Sequence, residues 1–351
     1  MWGPGANGMS TPEYWRGKTI LLTGGTGFVG RHLRRRLEEL GAGAVIAVGS
    51  GELDLESTDD TMRWGRRLDR DVDVIFHLAA WAKPGAFGLH HGAELFARNT
   101  MINANVLRVW QECLPGARLI GIGSSCEYPG HLSTMSEEDL WNGEPHPSVF
   151  AYAMTKRMLY AGQCAYAQQY GSQTVHVICN TLYGPGDHFD EERGHVISAL
   201  IDRFAQAAAK GRTRVVVWGD GYQTRECLFI DEQIHGLLLV AEKSPDRLVN
   251  LGTGVSHTIR EIAETIGELC GYDGEIVYDT TKFVGIRHKV LNSDRARLTL
   301  GWNPTMPLRE GLRRTVAWYQ QHILPERLNA QAAPQAVRHV ATGAGSRGLD
   351  A

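Results

Sequence analysis

Short apolar runs recur through the first two thirds of the chain at the length of buried strands. They fall at 19–23, 44–48, 73–77, 119–124 and 175–180. Between them lie segments with an apolar residue every three or four positions, such as Phe28, Val29, Leu33, Leu37 and Leu40, which is the spacing of one helix face. Strands alternating with helices predict an α/β protein with a parallel sheet covered on both sides. Further strands are predicted at 214–218, 226–230 and 248–251. An amphipathic helix is predicted through Ile259, Ile262, Ile266 and Leu269, and another starting near Pro307, since proline suits a first turn. The aperiodic ends, 1–16 and 328–351, are expected to be disordered tails.

Length and composition narrow the class. The 351 residues suffice for one large α/β domain and a smaller satellite. Lys plus Arg number 36 against 39 for Asp plus Glu, a formal charge of −3, so no nucleic-acid or membrane partner is expected. The cluster Arg31, Arg34, Arg35 and Arg36 reads as a solvated helix face. Six cysteines show no paired spacing, and Cys113, Cys164, Cys179 and Cys270 lie among apolar neighbours, as small core residues do in a reducing compartment. Neither a leader-like segment nor an apolar run of membrane-spanning length occurs, so a cytoplasmic location is expected. No metal is expected.

After the first strand the chain reads Thr23-Gly24-Gly25-Thr26-Gly27-Phe28-Val29-Gly30 and opens a helix. Gly24 and Gly27 permit a tight turn close to a pyrophosphate, Gly30 lets helix and strand pack closely, and the helix N-terminus offers unpaired N–H groups. This context predicts a nicotinamide dinucleotide, NADP(H) or NAD(H), on a Rossmann-type doubly wound sheet. Val48-Gly49-Ser50-Gly51-Glu52 ends the second strand with neither the acid that takes a ribose hydroxyl nor an arginine for a 2′-phosphate, which leaves the preference open.

Tyr152 and Lys156 stand four residues apart, on one face of a helix. A phenol that ionises near pH ~10 is a poor base at neutrality. An adjacent ammonium stabilises its phenolate and lets the pair exchange a proton with a substrate oxygen. Ser124 falls at the carboxyl end of a strand, where ligands of such sheets bind, and its hydroxyl can polarise the same oxygen.

These residues carry a family resemblance. Gly24-x-x-Gly27-x-x-Gly30, His77-Leu78-Ala79-Ala80, Ser124, Tyr152-x-x-x-Lys156 and Leu182-Tyr183-Gly184-Pro185 resemble the extended short-chain dehydrogenase/reductases, the NAD-dependent epimerase/dehydratase superfamily. Ser124-Ser125-Cys126-Glu127-Tyr128-Pro129, the stretch 194–204, Val215-Val216-Val217-Trp218-Gly219 and Asn250-Leu251-Gly252-Thr253-Gly254 are most similar to the GDP-L-fucose synthases. The resemblance spans roughly 18–322 and implies epimerisation of a 4-keto nucleotide sugar, a GDP-sugar by preference, at carbons 3 and 5, followed by reduction of carbon 4.

Position by position, it implies Cys126 as the epimerisation base and His195 as the opposing acid, with Ser124, Tyr152 and Lys156 serving the reduction. Asp54, Leu55, Leu78, Ala79, Ala80 and Asn99 would line the cofactor with Gly24, Gly27, Phe28 and Gly30. Ser125, Thr181, Val196, Leu200, Arg203, Trp218, Arg225 and Lys289 would meet the substrate. A homodimer through two helices per subunit is implied as well. The expected division is a dinucleotide-binding part at 17–180 plus 214–252 and a smaller α/β substrate-binding part at 181–213 plus 253–324.

The chain departs from that pattern at four places. Glu127 replaces an aliphatic residue, Asn180 comes one position early, Phe283-Val284-Gly285 replaces Pro-Asp-Gly, and Thr26 and Ser50 stand where NADPH-binding arginines are expected. Two rival readings follow: an epimerase that uses tightly bound NAD without net redox change, and a catalytically silent dinucleotide sensor or scaffold on the same fold.

Overall fold

The computed structural model describes residues 10–69, 71–82, 87–190, 194–282 and 284–332. The chain opens with α1 (Pro12–Trp15), β1 (Thr19–Thr23), α2 (Phe28–Glu39), β2 (Ala44–Val48), α3 (Thr58–Arg66) and β3 (Val74–His77). It continues through α4 (Phe87–His90), α5 (Gly92–Cys113), β4 (Arg118–Ile122), β5 (Thr134–Met135), α6 (Phe150–Tyr170), β6 (Thr174–Cys179) and β7 (Thr181–Tyr183). Then follow α7 (Val196–Ala209), β8 (Arg214–Trp218), β9 (Thr224–Phe229), α8 (Ile230–Lys243), β10 (Leu248–Leu251), β11 (Ser256–Thr258) and α9 (Ile259–Cys270). The last elements are β12 (Glu275–Asp279), β13 (Val290–Leu291), α10 (Asp294–Leu300), α11 (Leu308–His322) and α12 (Leu324–Ala332).

Six strands form one parallel sheet in the order β10-β6-β4-β3-β1-β2. The inner strands of such a sheet are buried on both faces, which is why these segments are continuously apolar rather than alternating. One core gathers Ile20, Leu22, Leu33, Leu37, Phe76 and Val175, and a second gathers Leu21, Ile75, Leu107, Trp110, Leu119 and Leu159. The chain leaves β1 toward β2 on one side and returns to β3 on the other. That reversal opens a crevice beyond the carboxyl ends of β1 and β3.

Three expectations need correction. Residues 10–16 are not a free tail. Trp15 is fully buried and donates its indole N–H to Ser10 at 2.5 Å, while Ser10 donates to Glu242 at 2.6 Å. A Gly/Pro-rich stretch looks disordered until one tryptophan finds a core to enter. At the other end α12 carries helix through Ala332, so residues 328–332 are ordered; 1–9 and 333–351 lie outside the described residues.

The third concerns 214–252. Only α8 and β10 return to the large sheet. β8 pairs in parallel with β12, and β9 joins β7 and β11. The pattern of β8, buried at Val215 and Val217 and open at Val216 and Trp218, is that of a strand with one solvated face. Its apolar half packs with Phe204 of α7 and Ile262 and Ile266 of α9.

Candidate functional site

The glycine turn after β1 fits a dinucleotide cradle. Gly24 has φ +69°, and a Cβ there would come within 2.8 Å of the Ala79 backbone nitrogen. A Cβ on Gly30 would come within 2.5 Å of the Gly24 carbonyl oxygen. Backbone therefore stands against backbone at the crevice between β1 and β3, leaving the mouth clear for a pyrophosphate. Gly27 caps α2, Phe28 opens it and packs edge-on to His32, and Leu78 and Ala79 form the facing wall with Ala80 beyond. Asn99 is spent on structure: its side chain accepts from the Trp81 N–H and donates to the Trp81 and Leu95 carbonyls. Asp54 is exposed and Leu55 half-buried on the segment after β2.

Behind this mouth sits a buried polar triad that sequence reasoning passed over. Register places Thr23 beside His77, and the hydroxyl and Nδ1 lie 2.7 Å apart. His77 Nε2 lies 3.0 Å from Asn103 Oδ1, and Asn103 donates to the Thr155 carbonyl on α6. Burial, then the Lys156 charge, pulls the His77 pKa down to about 3, so the ring is neutral.

β4 ends at Ile122, two residues short of the expected boundary, and Ser124 caps a single 3-10 turn, Ser125–Glu127. The Ser124 hydroxyl accepts from the Cys126 N–H at 3.3 Å, and the Glu127 carboxylate accepts from the Ser124 N–H at 2.7 Å. This reciprocal cap points Glu127 inward and leaves Ser124 and Cys126 partly exposed. Glu127 is fully buried and meets His176 Nε2 at 3.1 Å; His176 Nδ1 meets Gln163 Oε1 at 2.8 Å. Arg157 donates to the Glu127 carbonyl at 2.7 Å and locks the turn to α6.

Tyr152 and Lys156 share one face of α6. Lys156 Nζ donates to the Ile122 carbonyl at 2.7 Å and lies 5.8 Å from the Tyr152 ring centroid. Lysine, tyrosine and the serine turn thus converge at the end of β4. Burial lowers the Lys156 pKa, opposed by the negative charge of Glu127. Crowding raises the Tyr152 pKa, and the negative charge of Glu127 pushes it the same way. The resting side chain is a phenol.

Cys126 has an unforeseen neighbour. Lys289, just before β13, brings Nζ to 3.7 Å from the Cys126 sulfur. His195, the residue before α7, opens to solvent; the protein crowding round it, then the Lys289 charge, lowers its pKa. Lys289 therefore stands against the thiol and acts on the imidazole.

The remaining expected contacts are scattered. Ser125 is buried and donates to Asn180 Oδ1 at 3.1 Å, and the Thr181 N–H uses the same oxygen. Asn180 donates at 2.6 Å to Glu226, a fully buried carboxylate that also accepts from the Leu291 and Gly254 N–H groups at 2.8 Å each. Glu226 ties β9 to the segments carrying Lys289 and the 252–254 turn, and a lone acid inside a strand gave no local signal of that. Leu200 packs in the core, and Val196 is half-buried at the start of α7. Arg203 donates to the Val216 carbonyl at 2.5 Å, and Trp218 is exposed at the end of β8. Arg225 donates to the Val284 and Ile286 carbonyls, at 2.6 and 2.8 Å, and so holds the loop before Lys289. Phe283 lies outside the described residues.

A model of the NAD-dependent epimerase/dehydratase family matches residues 20–252. The chain belongs to that family. It is an NAD(P)-dependent enzyme of the family's nucleotide-sugar epimerase/reductase type, with NAD(P)H as cofactor. A curated relative, probable GDP-L-fucose synthase 1 of Oryza sativa subsp. japonica, is 33% identical over 316 residues, covering 88% of this chain and 94% of the relative. A crystal structure of a GDP-L-fucose synthetase from Naegleria fowleri bound to NADP is 27% identical, covers 87% of this chain and 93% of that one, and superposes with a TM-score of 0.78. At 22% identity, a GDP-6-OMe-4-keto-L-xylo-heptose reductase from C. jejuni shares the fold, with a TM-score of 0.80 over 87% of this chain and 98% of that one. Among the described residues no helix is long and apolar enough to cross a membrane.

Proposed function

We propose that the protein epimerises a 4-keto nucleotide sugar, a GDP-sugar by preference, at carbons 3 and 5 and then reduces carbon 4. The observation that carries the epimerisation half is the Lys289–Cys126 contact at 3.7 Å, with the same ammonium acting on His195. A ketone at carbon 4 acidifies the hydrogens on both neighbouring carbons. The Cys126 thiolate, facing a positive charge, takes such a proton, and His195 returns one to the opposite face, inverting the centre.

A nicotinamide dinucleotide held at the Gly24–Gly30 turn would supply hydride to carbon 4. Tyr152, held as a phenol, gives its proton to the oxygen as charge develops there, with Ser124 donating beside it and Lys156 favouring the phenolate left behind. Arg203, Trp218 and Arg225 are assigned to the nucleotide end of the substrate, where a planar guanidinium suits a diphosphate.

The reading is tested by incubating the protein with a 4-keto GDP-sugar in deuterated water. Deuterium entering carbons 3 and 5 and one nicotinamide oxidised per sugar reduced is the expected result. Exchange with no net consumption would favour the epimerase that uses bound NAD. Tight dinucleotide binding with neither reaction would favour the silent sensor.

We also propose a homodimer through α5 and α6. Phe96 and Met101 on α5 and Phe150 and Met158 on α6 are exposed large apolar side chains on neighbouring helices, a feature that marks protein interfaces. Sedimentation at the mass of two chains, lost in Met158→Asp, is the expected outcome.

A further inference from the structure

We propose that the cofactor site selects NAD(H) over NADP(H), which rests on the family's dinucleotide site lying at the glycine turn described above. In such sites the adenosine ribose reaches the end of the second strand, where a carboxylate accepts from its 2′-hydroxyl or an arginine takes a 2′-phosphate. Here the stretch 44–55 contains no Arg, Lys or His, and neither does the turn 23–30.

No acid ends β2 itself, but the turn after it carries negative charge. The Glu52 carboxylate accepts from the Gly49 N–H at 3.2 Å and so anchors itself in the turn after β2. Gly49 is buried against the Thr26 side chain, so that a Cβ there would collide with the threonine hydroxyl. The Gly25 N–H reaches the Val48 carbonyl at 3.0 Å. The two glycine-rich turns thus abut, and Thr26, Ser50, Gly51 and Glu52 form the exposed rim at which a 2′-substituent would arrive.

The cations next along the chain already have partners, Arg31 at the rim itself. Arg31 donates to the Thr26 carbonyl at 2.7 Å and to the Gly186 carbonyl at 2.8 Å. Arg98 pairs with Glu56 at 2.6 Å and lies over the Trp81 ring. Asp54, two positions further along the chain and exposed, adds a further carboxylate. A phosphate monoester carries about −1.5 to −2 charges at neutral pH. Beside Glu52 and Asp54 it meets like charge, whereas a 2′-hydroxyl is a donor that a carboxylate accepts.

The test is to titrate the full-length protein separately with NADH and NADPH and follow nicotinamide fluorescence. NADH is expected to bind about 10-fold tighter, a difference of ~1.4 kcal/mol. Ser50→Arg should tighten NADPH by a similar factor with little effect on NADH, and Glu52→Gln should narrow the gap. NADPH binding as tightly as NADH to the wild type overturns the proposal. So does a Ser50→Arg variant, folded by circular dichroism and still binding NADH, that gains nothing for NADPH. Binding of neither nucleotide would remove the dinucleotide site itself, and the preference with it, which separates that failure from a wrong preference.

Discussion

The Glu127 carboxylate and the His176 imidazole meet at 3.1 Å, and solvent reaches neither side chain. The pair stands directly behind the turn that presents Ser124 and Cys126, because Glu127 also accepts from the Ser124 N–H. Even Gly123 belongs to this arrangement, since a Cβ there would run into both partners. A carboxylate beside a candidate base thus serves as the post on which the base's turn is hung.

Removing one member of such a pair leaves the other buried without its partner. Glu127→Leu is expected to destabilise the protein by ~3–5 kcal/mol in denaturant unfolding. Glu127→Leu combined with His176→Phe should recover part of that loss, since an apolar pair of fitting volume needs no partner. A double variant no more stable than the single one would show that the pair is not the coupling unit.

Tyr152→Phe, Lys156→Met and Ser124→Ala test the convergence at the end of β4. Each is expected to lower the reduction rate by roughly 100- to 10,000-fold, the usual range for a positioned proton donor and its helpers. Tyr152→Phe should still bind the dinucleotide, and deuterium exchange into a 4-keto sugar should survive it. Exchange and reduction lost together would place Tyr152 in both half-reactions. Cys126→Ser and His195→Asn should behave in the opposite way, abolishing exchange while the cofactor still binds.

Lys289 gives a pH signature. If His195 acts as an acid, it works only when protonated, and its depressed pKa puts the alkaline limb of kcat/KM for exchange below pH ~6.5. Lys289→Met removes the positive charge, lets the His195 pKa rise, and should move that limb upward. The same change takes the ammonium from Cys126, so the plateau should fall. A limb that stays put would mean that Lys289 does not act on His195.

His77 makes a stability prediction. The ring is neutral when folded, with its pKa pulled down to about 3, and ionises near ~6.5 when unfolded. The unfolded chain therefore binds the extra proton between these values. The contribution of His77 is complete above pH ~6.5 and declines as pH falls toward 3, by ~1.4 kcal/mol per unit. His77→Leu should flatten the slope of unfolding free energy against pH from 6.5 to 4.5, whatever constant cost it adds. An unchanged slope would sink the assignment.

What the sequence by itself determined was whatever repeats with the geometry of the backbone. Period and run length located the strands of the large sheet and the helix of α2. Gly24, Gly27 and Gly30 are legible because a close turn excludes side chains whatever surrounds it. Tyr152 and Lys156 are legible because one helix sets their spacing.

Only the tertiary structure decided which side chains meet across long stretches of chain. Glu127 and Glu226 look like ordinary acids until folding brings His176 to one and Asn180, Gly254 and Leu291 to the other. Lys289 looks like a solvated charge until the Arg225-held loop carries it to Cys126 across 163 positions. Ser10 and Trp15 read as tail until Glu242 and the core receive them. In each case the partner's identity is settled by burial, which makes an unpaired polar group or an exposed indole costly, and burial is a property of the whole fold rather than of any local stretch.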